Sequence, residues 1–424
     1  MERLRDAIFQ AAVPARGLLK NPLKYSEFFF GLGGFKRVLH MAEIPAESVF
    51  LNDSHPAIKE FHRKLDGVDS CSASVVSSKD IHDVTVDDIA ASNIIVGGPP
   101  CNGWADNGPR NGVNHPLGPC FVKFVDLIIA AAKKGNLLAF AIENSKNITR
   151  RMKGEEEPIA TYALRRFRQE LPYFDVTLVM SELELMVAST RNRAWIRGCR
   201  YDVLLDDLFD ERKFGAVPRP YLKFDCAQVS LAEILDYSLP NVNPSSITAP
   251  GRAKNLREYE ALIKKEVKEK KIVAQFAIFD IDRKIGGRFR EVLMYDQIPP
   301  MRLKGPEFFL ISCNDLDKQW SDKVTYRFLT NSERFTLQGH PHSMSTVHMS
   351  GRFHHRVTGN AYATPMVAAV MVPIINKIGW AESVEGIKRY RPPFDLKNIE
   401  KEVKAAQSRK ISDLGIIPSR ETYQ

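Results

Sequence analysis

Short apolar runs that stop at glycine, proline or a polar residue alternate with stretches of helical period over residues 25–200. Ile94-Ile-Val96 stops at Gly97-Gly-Pro-Pro100, Leu137-Leu-Ala-Phe-Ala-Ile142 stops at Glu143-Asn144-Ser145, and Val49-Phe-Leu51 stops at Asn52-Asp53. Glu27-Phe-Phe-Phe30 enters Gly31-Leu-Gly-Gly34 and then a helical pattern. Each run is short enough, and bounded sharply enough, to predict a buried strand. Phe121–Ile129 has the period of an amphipathic helix, and Arg165, Arg166 and Arg168 fall on a later one, where a solvated face is expected. Strands alternating with helices predict an α/β fold with a mostly parallel, doubly wound sheet. Residues 1–24 read as a short basic lead with no fold signal of their own.

The pattern loosens from 201 to 325, with Pro218-Arg-Pro220 and the Ser/Asn/Pro-rich stretch 238–246. A charged helical run from Glu258 to Lys271 and strands at Val273–Phe279 and Phe308–Ser312 follow. This predicts a smaller inserted region at 201–325, a return to the main fold over 326–385 with a helix at Ala361–Ile375, and a polar tail at 386–424. Lys264 to Lys271 mixes signs along its face, the mark of a solvated helix rather than a binding one.

A net charge of +9 and a pI of about 9.1 favour a polyanionic partner. The six cysteines, at 71, 101, 120, 199, 226 and 313, form no C-x-x-C pair, which argues against a zinc module or disulfide framework. No apolar stretch approaches the ~18 residues of a membrane span, and the charged amino terminus lacks a signal-peptide core. His354-His355 lacks a Cys or carboxylate at ligand spacing, so no metal is expected there.

Cys101 is the most informative residue. A rigid Gly-Gly-Pro-Pro turn delivers it to the carboxyl edge of a buried strand, where α/β sheets place their ligands. The glycine turn at 31–34 lets backbone approach a nucleotide-like ligand. Glu143, at the end of a second strand, is a candidate proton donor, its alternative role being a solvated or capping carboxylate. Arg191 and Arg193 alternate, which places them on one face of a strand and suits carboxylate or phosphate clamping.

Taken in order, Phe29-Phe-Gly31-Leu-Gly33-Gly34, Pro100-Cys101, Glu143-Asn144-Ser145, Arg191-Asn-Arg193, Leu337-Gln-Gly-His-Pro341 and Gly359-Asn360 resemble the motifs of the cytosine-5 DNA methyltransferases. Gly97-Gly-Pro-Pro-Cys-Asn102, with Asn107-Gly-Pro-Arg-Asn-Gly112 soon after, is most similar to the eukaryotic de novo branch. The resemblance implies a Rossmann-like S-adenosylmethionine-dependent fold with an inserted target-recognition domain at 201–325. It implies that Cys101 adds to carbon 6 of a flipped-out cytosine, that Glu143 supplies a proton at ring nitrogen 3, that Arg193 holds the pyrimidine oxygen, and that Arg191 supports the loop. Cofactor contacts are implied for Phe29, Gly31, Leu32, Gly33, Gly34, Asp80, Ile81, Pro100, Leu117, Asn360 and Ala361. The cofactor implied is S-adenosylmethionine, leaving as S-adenosylhomocysteine, with no metal. The partner implied is double-stranded DNA and not a membrane; a homo-oligomer or regulatory partner is left open. Location would be nuclear in a eukaryote and cytoplasmic otherwise.

Three places depart from the family pattern. Where a glutamate usually binds the ribose, this chain offers Asn52 or Asp53; Ser189 replaces a glutamine; and Trp104-Ala105 replace polar residues after the cysteine. Two alternatives stand beside the DNA enzyme: an RNA (tRNA) cytosine-5 methyltransferase of the same fold, and a non-catalytic DNA-binding regulatory relative.

Overall fold

The computed structural model describes residues 2–12, 19, 21–65, 76–106, 108–182, 189, 191–200, 229–270, 272–286, 292–299, 301, 307–315 and 325–383. Residues 201–228, Asn107, Lys271 and the expected tail at 386–424 lie outside them. Two compact units emerge: one from 2–182, 192–227 and 362 onward, the other from 183–191 and 228–361.

In the first unit β1 (Leu23–Phe28), β2 (Ala46–Asn52), β3 (Ile94–Gly97), β4 (Ala139–Ser145), β5 (Phe174–Glu182) and β6 (Asn192–Arg200) form one sheet in the order β2-β1-β3-β4-β6-β5. β1 to β4 run parallel, while β6 is antiparallel to both of its neighbours. The sheet is therefore mostly parallel, as expected, with the Arg-x-Arg strand as its reversed member. Alternation along the strands sends Ile95, Phe140, Ile142 and Ile196 into a core shared with helices Pro119–Lys133 and Ile159–Glu170. Gly198 makes room for the Phe140 ring, since a Cβ there would sit 2.2 Å from it. On the opposite face the apolar helix Thr364–Ser383 is buried over 364–375, and its Val370 carbonyl accepts from Arg197 Nη1 at 3.3 Å. Its burial marks it as a core helix.

Two expectations are corrected. The amino-terminal lead contains a helix, Glu2–Ala11, whose Leu4 and Ile8 are buried one turn apart, and Asn376 Nδ2 donates to Ala11 O at 2.8 Å. The arginines of helix 159–170 are not simply solvated. Arg165 pairs with Glu157, Arg166 with Asp126 at 3.0 Å, and Arg168 Nη2 donates to the Val176 carbonyl at 2.8 Å.

In the second unit β7 (Phe276–Asp280), β8 (Leu293–Tyr295), β9 (Phe308–Ser312) and β10 (Tyr326–Phe328) form an antiparallel sheet in the order β10-β9-β7-β8. Helix Pro250–Lys270 packs on one face, with Tyr259 stacked on Phe279 at 4.4 Å, and Tyr326 OH donates to its Glu260 at 2.7 Å. Lys264 and Lys265 are exposed. Leu231, Leu235, Leu329 and Leu337 cover the other face. A buried ion pair, Arg327 to Glu333 at 2.6 Å, closes the start of helix Asn331–Thr336, where Glu333 also completes a capping box with Thr330. Residues 326–361, placed by sequence with the main fold, thus cluster with this sheet because β10 pairs with β9 and Leu337 joins its core.

Candidate active site

At the end of β1 the chain reverses through Phe29, Gly31 and Gly33, with φ of 52°, 49° and 68°. Glycine suits two of these. Phe29 holds a left-handed conformation that costs a non-glycine residue on the order of 1–3 kcal/mol, and its ring packs edge-on against Phe124 at 5.7 Å. At Gly33 a Cβ would lie 2.7 Å from the Phe30 ring, so the turn is closed to side chains. Below it, Glu27 is fully buried and accepts the Phe35 and Lys36 amides, each at 3.0 Å, at the start of helix Gly34–Met41. Burial pushes its carboxyl up to about 7, against the lowering by Tyr362, these two amides and the Lys36 charge. Leu32 is buried beside the turn.

The two candidates after β2 differ in what they already do. Asn52 is buried, and its amide donates to the carbonyls of Ser77 and Lys79 at 3.3 and 3.0 Å. Asp53 is half-buried; one oxygen accepts the Gly31 amide at 3.0 Å and the other the His55 amide at 2.9 Å. Asp80 is exposed, accepting the His82 amide at 2.9 Å, and Ile81 next to it is buried. Leu117 is 42% exposed, and Pro100 is half-buried. In the second unit Asn360 ends helix Gly351–Asn360 and is exposed, and Ala361, its C-cap, is buried.

Cys101 is half-buried and unbridged, at the start of a turn whose Trp104 and Ala105 amides both donate to its carbonyl at 2.9 Å. Asn144 Nδ2 donates to Pro99 O at 3.0 Å, tying the cysteine turn to β4. Glycine at 98 suits this approach, because a Cβ there would lie 3.2 Å from Glu143 Oε2 and 3.0 Å from the Tyr362 ring and would press on both. The Trp104 departure has a packing reason. Its ring is fully buried, lies 5.7 Å from Phe121, and donates Nε1 to Glu155 Oε1 at 3.2 Å. Glu155 also accepts from Val113 N at 3.0 Å and Met152 N at 2.9 Å, which ties the loop after Cys101 to the segment before helix 159–170.

Glu143 lies within β4 rather than beyond its end, since the strand continues to Ser145. It faces Trp195 in register, and Ser145 faces Arg193, so Glu143 and Arg193 are diagonal neighbours on one face. Arg193 Nε lies 2.7 Å from Glu143 Oε1, an ion-pair contact without the alignment of a hydrogen bond. Arg191 is buried in the second unit, where its Nη1 donates to Gly359 O at 3.2 Å. Ser189 bridges to Ile298 in that unit.

Sequence reading did not single out Glu27, Asn144, Glu155 or Tyr362 as site residues. A glutamate inside the apolar run Tyr25–Phe30 was the visible signal for Glu27. Nothing local marks Glu155 or Tyr362, whose partners are remote in sequence.

Comparison with known proteins gives the family. The chain is 24% identical over 227 residues to the Type II methyltransferase M.FnuDI of Fusobacterium nucleatum, covering 54% of this chain and 60% of that protein. It is 22% identical over 349 residues to the Type II methyltransferase M.NgoPII of Neisseria gonorrhoeae, covering 80% and 92%. The solved Entamoeba histolytica methyltransferase EhMeth shares the fold at a TM-score of 0.51 and 14% identity, covering 84% of this chain and 98% of that one. The family model of the C-5 cytosine-specific DNA methylases matches residues 23–376. This chain therefore belongs to the C-5 cytosine-specific DNA methylases, a family of S-adenosylmethionine-dependent cytosine-5 methyltransferases with a Rossmann-like fold.

Proposed function

We propose that the protein transfers a methyl group from S-adenosylmethionine to carbon 5 of a cytosine flipped out of double-stranded DNA, through a covalent adduct at Cys101. The carrying observation is the convergence of the Cys101 turn with Glu143 and Arg193: Asn144 ties Pro99 to β4, and Gly98 abuts the Glu143 carboxyl. Bound at the glycine turn, the cofactor supplies an electrophilic sulfonium methyl. Carbon 5 of cytosine is a poor nucleophile. The Cys101 thiolate would add to carbon 6 and make carbon 5 enamine-like; carbon 5 would take the methyl as S-adenosylhomocysteine leaves, and a water would take the carbon-5 proton as the thiolate is expelled and nitrogen 3 returns its proton to Glu143, which restores the ring. Glu143 protonates ring nitrogen 3, Arg193 orients Glu143 and the pyrimidine oxygen, and Arg191 steadies the segment that leads into β6. A base inside a stacked duplex is out of reach of these groups, which is why it is flipped.

For the cofactor, Phe29, Gly31, Leu32, Gly33 and Gly34 form the turn that fits it, with Asp80, Ile81, Pro100 and Leu117 as further contacts. The ribose contact is assigned to Asp53. Its carboxylate accepts the Gly31 amide of the cofactor turn, whereas the Asn52 amide donates to the Ser77 and Lys79 carbonyls. The inserted region reads the target, and its lysines contribute mainly phosphate contacts.

The test is tritiated methyl transfer from S-adenosylmethionine to duplex DNA and to tRNA, followed by sequencing of modified cytosines. Incorporation into DNA supports the assignment. Incorporation into tRNA alone would replace the substrate while keeping the chemistry, and none into either would point to the non-catalytic alternative.

A further inference from the structure

We propose that Tyr362 is a positioning residue that sets the spacing between the glycine turn of residues 29–34 and the turn that carries Cys101, using its ring as the spacer and its hydroxyl as the tie to Glu27. The inference deepens the methyltransferase reading and rests on it.

The Tyr362 ring is buried and touches the two turns with opposite edges. A Cβ on Gly34 would lie 2.8 Å from Cδ2 and Cε2, whereas a Cβ on Gly98, three residues before Cys101, would lie 3.0 Å from Cδ1. Both turns therefore carry glycine where they meet this ring, and the width of one phenol fixes their separation. Trp195 backs the ring at 6.2 Å in an edge-on arrangement, and Trp195 is the cross-strand partner of Glu143. The hydroxyl donates to Glu27 Oε1, the oxygen that also takes the Phe35 amide, while the other oxygen takes the Lys36 amide. One side chain is thus linked to the cofactor turn, to the cap of the helix that follows it, and to the nucleophile turn. Methyl transfer is sharply sensitive to such a spacing, because effective molarity collapses when reacting atoms are misplaced by about an ångström.

Charge supports this arrangement. Burial and the nearby carboxylates of Glu27, Glu143 and Asp53 hold the Tyr362 phenol well above its usual range, so it remains an O–H donor. Glu27 faces the Lys36 charge besides Tyr362, and the phenol is among the groups that oppose its protonation. Without the hydroxyl, the Glu27 carboxyl would stay protonated to higher pH and would cap Phe35 and Lys36 less well near neutrality.

The test uses full-length protein, S-adenosylhomocysteine titration by calorimetry from about pH 6 to about pH 9, and steady-state methylation. Tyr362→Leu, which removes the spacer, should lower kcat by about tenfold or more with KM for DNA unchanged, a transition-state loss of ~1.4 kcal/mol per tenfold. Tyr362→Phe keeps the spacer, so kcat should stay within about threefold, while S-adenosylhomocysteine affinity falls severalfold near neutral pH and recovers toward about pH 9. A folded Leu variant with wild-type kcat overturns the proposal. If the Leu variant does not fold, the Phe variant decides: a binding profile superimposable on wild type overturns the proposal, and a displaced one supports it. Failure of the methyltransferase reading is visible separately, as wild-type protein that neither binds S-adenosylhomocysteine nor transfers methyl.

Discussion

Arg193 and Glu143 sit diagonally across two antiparallel strands, with Nε 2.7 Å from Oε1. Antiparallel register places both side chains on the sheet face that Trp195 also occupies, where Glu143 is buried. An arginine beside a buried carboxylate compensates its charge. Oε1 has no aligned hydrogen bond, and on the proposed mechanism Glu143 delivers the proton to ring nitrogen 3. Glu143→Gln should lower kcat by about 100-fold or more, the range usual for acid–base catalysis, with S-adenosylhomocysteine affinity preserved. An unchanged rate would remove Glu143 from the chemistry.

The nucleophile can be identified directly. Cys101→Ala should abolish turnover while S-adenosylhomocysteine binding survives, and a 5-fluorocytosine duplex should trap the wild-type chain covalently. Peptide mapping checks this. An adduct on Cys120, half-buried with its thiol pushed up by burial and by the Asp80 charge, would move the assignment.

Asp53 and Asn52 make opposite predictions. Asp53→Asn should weaken S-adenosylmethionine binding about tenfold, ~1.4 kcal/mol, with little change in thermal midpoint. Asn52→Ala should act mainly on stability, by about 1 kcal/mol, since the Lys79 carbonyl loses its Asn52 donor and Ser77 O is left with the Asp53 amide. Calorimetric titration and thermal unfolding separate the two effects, and the reverse pattern would assign the ribose to Asn52.

Glu155 anchors the loop after Cys101 through Trp104, Val113 and Met152. Glu155→Ala should raise amide exchange across 102–118 and cost about 2 kcal/mol of stability, as three donors lose one shared acceptor. The rate of 5-fluorocytosine trapping should fall while cofactor affinity holds. Unchanged exchange in 102–118 would show that the loop is held by other contacts.

Glu27 gives stability a pH dependence. Its carboxyl is raised from 4.5 to about 7 in the folded chain. Its contribution is therefore fully present below about pH 4.5, and is lost as pH rises through about 7, an effect on the order of 3 kcal/mol. Glu27→Gln should flatten the unfolding free energy across that window, measured by denaturant titration at several pH values. A variant with the same pH slope as wild type would assign the dependence to another group.

Local pattern decides a good deal about this chain. Ile94–Val96 is apolar without alternation and is stopped by two glycines and two prolines, so it has to be a central strand that releases Cys101 at its carboxyl edge. The period of Phe121–Ile129 likewise makes a helix with one buried face, Phe121, Phe124, Val125 and Ile128, whatever it packs against. These are choices made within a few residues, by backbone sterics and by the period of apolar side chains. Register and remote pairing are decided elsewhere. That β6 runs antiparallel, and so sets Arg193 against Glu143 while Arg191 turns to Gly359, depends on strand pairing across about fifty residues. Asn52 and Asp53 look equivalent in sequence and are separated only by which backbone groups each meets. Tyr362 lies 335 residues from Glu27, and no local propensity ties them; the contact exists because burial brings a hydroxyl and a carboxyl together where each lacks water, leaving each as the other's partner.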